Sequence, residues 1–253
     1  MILDQFRLDG KTALVTGAST GLGAAMAVAL AEAGADVISH GNSHSPQQTC
    51  QQVEKLGRRA AGIQADLSKP GAAEDLFAKA QQVAPVDIVV NNAGTIRRAK
   101  ALDYSDQDWA AVLQVNLDSV WKLCRAAGRS FVSRGSGGKI INVASLLAFQ
   151  GGVTVPAYAA SKGAVVQLTK ALANEWAAQG VNVNAIAPGY MRTDNTAALQ
   201  RDEVRNRQIL ERIPAARWGE PGDICGAAVF LASAASNYVH GHVLVVDGGW
   251  MGR

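Results

Sequence analysis

Short runs of almost uninterrupted apolar residues alternate along this 253-residue chain with longer stretches in which apolar positions recur every three or four residues. The short runs at 11–15, 36–39, 60–64, 86–90, 139–143, 181–186 and 243–246 read as strands. Helices are predicted at 21–33, closed by Gly34, at 46–56, ending at Gly57, and at 71–83, with longer ones at 106–133 and 155–179. Strands that are apolar on both faces need cover on both, so the pattern predicts an α/β fold, a parallel sheet of about seven strands with helices on each side. No internal repeat or low-complexity linker divides the chain, and one domain over 1–253 is the simplest expectation. The stretch 188–221 has no strand pattern and follows a strand end. Ligands of open parallel sheets bind beyond the strands' carboxyl ends, so this stretch is expected to be a mobile substrate lid.

Composition narrows the function classes. Hydrophobic residues make up 48% of the chain, ample for a core, and charged residues only 18%, low for a disordered protein. The net charge of +3 is scattered. Its densest cluster, at 201–212, is interrupted by Asp202, Glu203 and Glu211, so no nucleic-acid partner is expected. No apolar stretch of about 20 residues suggests a membrane span, and the start of the chain lacks a basic segment with an apolar run behind it. Cys50, Cys124 and Cys225 are far apart and match neither a disulfide framework nor a zinc spacing, so reduced thiols and a cytoplasmic location are expected. His240 and His242 flank a glycine and read as the border of a strand; no metal is expected.

The first candidate for chemistry runs from Thr16 to Gly23, where Gly17, Gly21 and Gly23 join the first strand to the first helix. Glycines let the backbone turn tightly and approach a pyrophosphate, and the helix N-terminus adds free N–H groups. The spacing is neither G-x-G-x-x-G nor a P-loop, and an ordinary strand-to-helix turn is the alternative. The second strand ends in His40-Gly41-Asn42-Ser43, with no acid for a ribose diol and no arginine for a 2′-phosphate; Asp36 starts that strand. The missing arginine favours NAD over NADP.

The second candidate is Tyr158 with Lys162. Four residues on a helix is about one turn, roughly 6 Å along the axis, so phenol and ammonium share a face. A neighbouring ammonium favours phenolate, which makes the tyrosine a tunable proton donor. Paired with a phosphate loop, this points to redox chemistry on a carbonyl or alcohol.

With these elements in view the chain resembles the short-chain dehydrogenase/reductase family over nearly its whole length. The glycine loop, Asn91-Asn92-Ala93-Gly94, Asn116, Ser145, the Y-x-x-x-K of Tyr158 and Lys162, and Pro188-Gly189 with Thr193 stand in the family's order. The resemblance implies a Rossmann-type doubly wound sheet, a nicotinamide cofactor and a homotetramer joined through the long helices and the C-terminal strand, near Trp250 and Met251. It implies that Tyr158 is the general acid or base, that Lys162 lowers its pKa and holds the nicotinamide ribose, and that Ser145 binds the substrate oxygen. Asn116 would tie Lys162 to a proton relay. Gly17, Ser19, Thr20, Gly21, Leu22 and Gly23 would hold the phosphates, with Asn92, Ala93 and Gly94 along the adenosine ribose. Asp66 and Leu67 would meet the adenine, and Pro188, Gly189 and Thr193 the nicotinamide.

Segments outside these motifs, including Ile96-Arg97-Arg98, Phe149-Gln150-Gly151-Gly152 and Asn174-Glu175-Trp176, resemble members of the family that act on sugar acids. A sugar-acid carboxylate needs a cationic partner, ideally a bidentate arginine. Arg97, Arg98 and Arg192 are the candidates, with Gln150 beside them. The rival is a 3-oxoacyl-acyl-carrier-protein reductase or broad carbonyl reductase, for which Arg125, Arg129 and Arg134 would offer a basic helix. A dinucleotide-binding regulator without activity would have no need of the proton donor.

Overall fold

The computed structural model describes residues 1–253. Seven strands, β1 (Thr12–Val15), β2 (Asp36–Gly41), β3 (Ala60–Gln64), β4 (Ile88–Asn91), β5 (Gly138–Val143), β6 (Val181–Pro188) and β7 (Val243–Val246), form one parallel sheet in the order β3-β2-β1-β4-β5-β6-β7. Successive side chains of a strand point to opposite faces, and here both faces are covered. Ala13, Val15, Val37, Val90 and Ile141 pack with Met26 and Leu30 of α1 (Gly21–Glu32), Val53 of α2 (Gln47–Lys55) and, towards the other end of the chain, Ala228 and Leu231. Their neighbours Leu14, Ile38, Val89 and Ile140 face the other way. They meet Leu76 and Phe77 of α3 (Ala72–Val83) and, later in the chain, Leu123, Phe131, Val165 and Leu172. That division explains why the strands are apolar without alternation.

The remaining helices are α4 (Asp106–Leu113), α5 (Ser119–Arg134), α6 (Pro156–Trp176), α7 (Ala197–Arg201), α8 (Glu203–Arg212) and α9 (Cys225–Ala232). The single helix expected over 106–133 is interrupted: a π-helical turn at Gln114–Asp118 joins α4 to α5. Such turns insert one extra residue into the ladder and recur at functional sites. No helix is long and apolar enough to cross a membrane.

β1 and β4 lie side by side, and the chain leaves them towards opposite edges of the sheet. Their carboxyl ends therefore bound a crevice, the usual place for a ligand in such sheets. The connection from β6 to α9 closes over it. An isolated bridge between Met191 and Gly219 draws the two ends of this connection together. Ile209, Ile213 and Trp218 of this connection form a small cluster with Leu146, after β5, and Trp250, after β7. Trp250, expected at a subunit contact, is only 5% exposed within its own chain and sits 4.6 Å from the Tyr190 ring. Asp36 begins β2 and is held by Arg59 at 2.7 Å and Arg58 at 3.5 Å, at the end of the strand away from the crevice.

Candidate active site

The crevice is a cavity of about 1270 Å³. One wall is the turn between β1 and α1. Thr16 Oγ1 accepts hydrogen bonds from the Asn92 and Ala93 N–H groups at 2.9 and 3.0 Å, while Asn92 Nδ2 donates to Thr16 O and Gly17 O. Gly17 is left-handed, and a Cβ there would stand 2.9 Å from Ala93 Cα. On Gly23 a Cβ would stand 2.1 Å from Gly17 O, so only glycine allows this closure. The Thr20 side chain does not cap α1, which leaves the first-turn N–H groups directed to the cavity that Thr20, Gly21, Leu22 and Gly23 line. A cradle of free N–H groups with no room for side chains fits a pyrophosphate.

His40 braces this wall from behind without lining the cavity, a part that sequence reasoning missed. Its Nδ1 accepts from Gly17 N–H at 3.2 Å, and Nε2 lies 2.9 Å from Ala65 O, which fixes the proton on Nε2. Burial lowers its pKa, so the ring is neutral at pH 7. Ser19 donates to His44 O at 2.7 Å and, unlike the glycines, does not line the cavity, although His44 does. Asp66 and Leu67 also lie off the cavity. Asp66 accepts from Ser68 N–H in a local turn, and Leu67 is buried in the core.

The opposite wall carries the titratable groups. Ser145 follows β5 and accepts from Leu147 N–H at 3.2 Å, which orients its hydroxyl. Pro156 starts α6 in the position proline favours, which places Tyr158 in the first turn and Lys162 in the second. Lys162 Nζ donates to Val143 O at 2.7 Å and lies 5.6 Å from the Tyr158 ring centroid. The direction of the phenol's shift differs from the sequence expectation. Burial raises the Tyr158 pKa; the Ser145 hydroxyl and the Arg98 charge pull the other way without cancelling it. Lys162 is itself lowered to about 8 by burial. Desolvation outweighs the attraction that helical spacing alone suggests.

Asn116 sits in the π-helical turn, fully buried, and does not line the cavity. Its Oδ1 accepts from Thr95 N–H at 2.8 Å, and Nδ2 donates to Thr95 O and Ser161 Oγ. It thereby ties the segment after β4 to α6. Asn92, Ala93, Gly94, Pro188, Gly189 and Thr193 line the same cavity.

The arginines divide. Arg98 lines the cavity and donates to Asn195 O at 3.3 Å across to the β6–α9 connection. Arg97 and Arg192 do not line it. Arg97 pairs with Asp108 at 3.6 Å and Arg192 with Glu220 at 2.9 Å. Residues 97 and 98 lie in a segment that is neither helix nor strand, and of the two only Arg98 reaches the cavity. Gln150 lines the cavity, as do Arg205 and Arg212 of α8, two arginines not singled out from sequence.

The chain is similar to known oxidoreductases over nearly its whole length. A family model described as Enoyl-(Acyl carrier protein) reductase matches residues 17–251. The 2-dehydro-3-deoxy-D-gluconate 5-dehydrogenase of Bacillus subtilis is 56% identical over 250 residues, 99% of this chain and 98% of the relative. A solved structure from Agrobacterium tumefaciens with bound NADP is 53% identical with a TM-score of 0.94, covering 98% of this chain and 99% of that one. The gluconate 5-dehydrogenase of Burkholderia cenocepacia, in complex with NADP and tartrate, is 38% identical with a TM-score of 0.93 and full coverage of both chains.

Proposed function

Because the chain belongs to the short-chain dehydrogenase/reductase family, we propose that it moves a hydride between a nicotinamide cofactor and a hydroxyl or keto group of a sugar acid such as 2-dehydro-3-deoxy-D-gluconate. It is a nicotinamide-dependent oxidoreductase acting on CH–OH groups. One observation carries the substrate class: the cavity that joins the glycine turn to Ser145 and Tyr158 also receives Arg98, Arg205 and Arg212, against Asp194 as its one carboxylate. The sugar-acid enzyme of Bacillus subtilis and the tartrate complex of the Burkholderia relative support the same class.

When bound, the cofactor supplies the hydride chemistry. The turn from Gly17 to Gly23 holds its phosphates, and Lys162 holds the nicotinamide ribose. Ser145 donates a hydrogen bond to the substrate oxygen. Tyr158 gives that oxygen a proton in reduction and removes it in oxidation. A raised phenol pKa keeps the acid loaded at neutral pH, so reduction needs no adjustment there, whereas oxidation gains as pH rises and the phenol ionises. Asn116 positions the segments that carry these groups.

For the 2′ position, the missing arginine at the end of β2 favours NAD, but the site itself favours NADP. No carboxylate stands there to repel a phosphate, His44 lines the cavity with Ser43 Oγ 3.2 Å from its Nδ1, and two relatives hold NADP. We propose NADP as the preferred cofactor and the cytoplasm as the location. A homotetramer through α4 and α5 would cover Trp109 and Trp121, which are 40% and 37% exposed; light scattering on the purified protein checks it.

The carrier-protein reading has less support. Arg125 is paired with Glu74 at 3.2 Å and Arg134 with Asp87 at 3.5 Å, which removes most of the basic face that an acidic carrier would need. The test is absorbance of the reduced nicotinamide, with NAD and NADP, on 2-dehydro-3-deoxy-D-gluconate in both directions. Turnover of the sugar acid is expected. Turnover of an acetoacetyl thioester with none of the sugar acid would replace this reading.

A further inference from the structure

We propose that Arg212, in the last turn of α8, anchors the substrate carboxylate and reads the end of the molecule remote from the reacting carbon. The inference rests on the sugar-acid reading above and specifies how that site chooses its substrate.

Three arginines reach the cavity, and none has a carboxylate within ion-pair distance, while nine arginines elsewhere in the chain do. An unpaired guanidinium facing a cavity is ready for an anion. The cofactor phosphates do not account for the three, because the glycine turn meets them with main-chain N–H groups. The three are not equivalent. Arg98 acts on the Tyr158 phenol, so a carboxylate held there would lie beside the reacting carbon. Arg205 donates to Gln208 Oε1 at 2.8 Å and has no aromatic support.

Arg212 is held in place. Its guanidinium lies over the Trp250 ring, 4.1 Å from the centroid, and Nη2 donates to Gln150 Oε1 at 3.4 Å. Gln150 Oε1 also accepts from Trp250 Nε1 at 3.1 Å, so one amide oxygen sets both planes. Stacking fixes the face of the guanidinium and leaves its remaining N–H edge for a bidentate carboxylate. Trp250 is buried against Tyr190, which keeps this platform rigid. Arg212 enters the cavity from the last turn of α8, on the Trp250 and Gln150 side, whereas Arg98 enters from the segment after β4. A hexonate anchored at C1 by Arg212 would therefore present a carbon from its opposite end to Ser145 and Tyr158.

The experiment compares wild type, Arg212→Gln and Arg212→Lys, each with cofactor. The substrates are 2-dehydro-3-deoxy-D-gluconate and its neutral primary amide, and calorimetric titration with D-gluconate provides a binding readout. Loss of a charged hydrogen-bonding partner should raise KM for the acid by about 10- to 100-fold in Arg212→Gln, with kcat nearly unchanged and KM for the amide unmoved. Arg212→Lys should recover part of the loss, since charge returns without the fork. Equal KM changes for acid and amide, or none, would overturn the anchor while leaving the sugar-acid reading in place. Gluconate binding that depends on Arg212, without turnover of any sugar acid, would keep the anchor and remove that reading. No gluconate binding to wild type, together with no turnover of any sugar acid, would overturn both.

Discussion

Between β1 and α1 the cavity wall is main chain, whereas between β6 and α9 it is largely side chain, and the two were not equally readable. At the glycine turn, identity is forced by absence of room: Gly23 has Gly17 O where its Cβ would be. On the other side Arg205 and Arg212 sit on a helix that could carry many residues at those positions without clash, and only their company gives them meaning. A ligand shared by many enzymes is met by backbone, and one particular to this enzyme by side chains. The lesson is that steric necessity leaves a local signature and chemical choice does not.

The sharpest way to break this contrast is Tyr158→Phe. Turnover should fall by about 10²- to 10⁴-fold, the usual worth of a positioned proton donor, with cofactor affinity unchanged by fluorescence titration. A matching loss of cofactor affinity would show that the two walls are not separable. Next is Gly23→Ala, where the added methyl meets main chain that cannot yield. Overpacking of this kind costs about 1–3 kcal/mol, and the cofactor dissociation constant should rise while the denaturation midpoint drops. A normal dissociation constant would mean that the turn tolerates side chains after all.

A subtler effect is expected for Arg98→Gln. Its positive charge opposes the upward shift of the Tyr158 pKa. Removing it raises the phenol further, so the oxidation limb of the pH–rate profile moves to higher pH while reduction near neutrality keeps its loaded acid. A movement to lower pH would contradict the electrostatics. The smallest effects should come from Arg97→Gln and Arg192→Gln. These are exposed pairs with Asp108 and Glu220, worth at most about 1 kcal/mol. Their KM values for sugar acids should stay within about twofold, under 0.5 kcal/mol, and a larger change would enlarge the substrate site towards them.

Sequence pattern was enough for seven strands in parallel because burial on both faces leaves an apolar run that few other elements share. Tyr158 and Lys162 were legible for a similar reason: their relation is one helical turn and needs no tertiary contact. Three features were not. The choice between Arg97 and Arg98 depends on how an irregular segment after β4 is folded, which has no periodicity to read. The cluster 201–212 read as mixed charge, because Arg207 has Glu211 one turn on while Arg205 and Arg212 meet the cavity only after the connection folds over. The π-helical turn at Asn116 has no propensity signal; it appears because Asn116 bonds to Thr95 and Ser161 on separate elements. The sign of the Tyr158 shift was hidden as well, since burial is a property of the whole cavity wall.

The cluster beneath the β6–α9 connection also has an optical consequence. Two of the five tryptophans, Trp218 and Trp250, are packed there against Tyr190, and Trp250 lies under Arg212. Indole emission responds to nearby charge and to exposure. Replacing Trp109, Trp121 and Trp176 by phenylalanine would leave a protein whose ultraviolet fluorescence reports the arrival of an anion at Arg212 in real time, with no label attached.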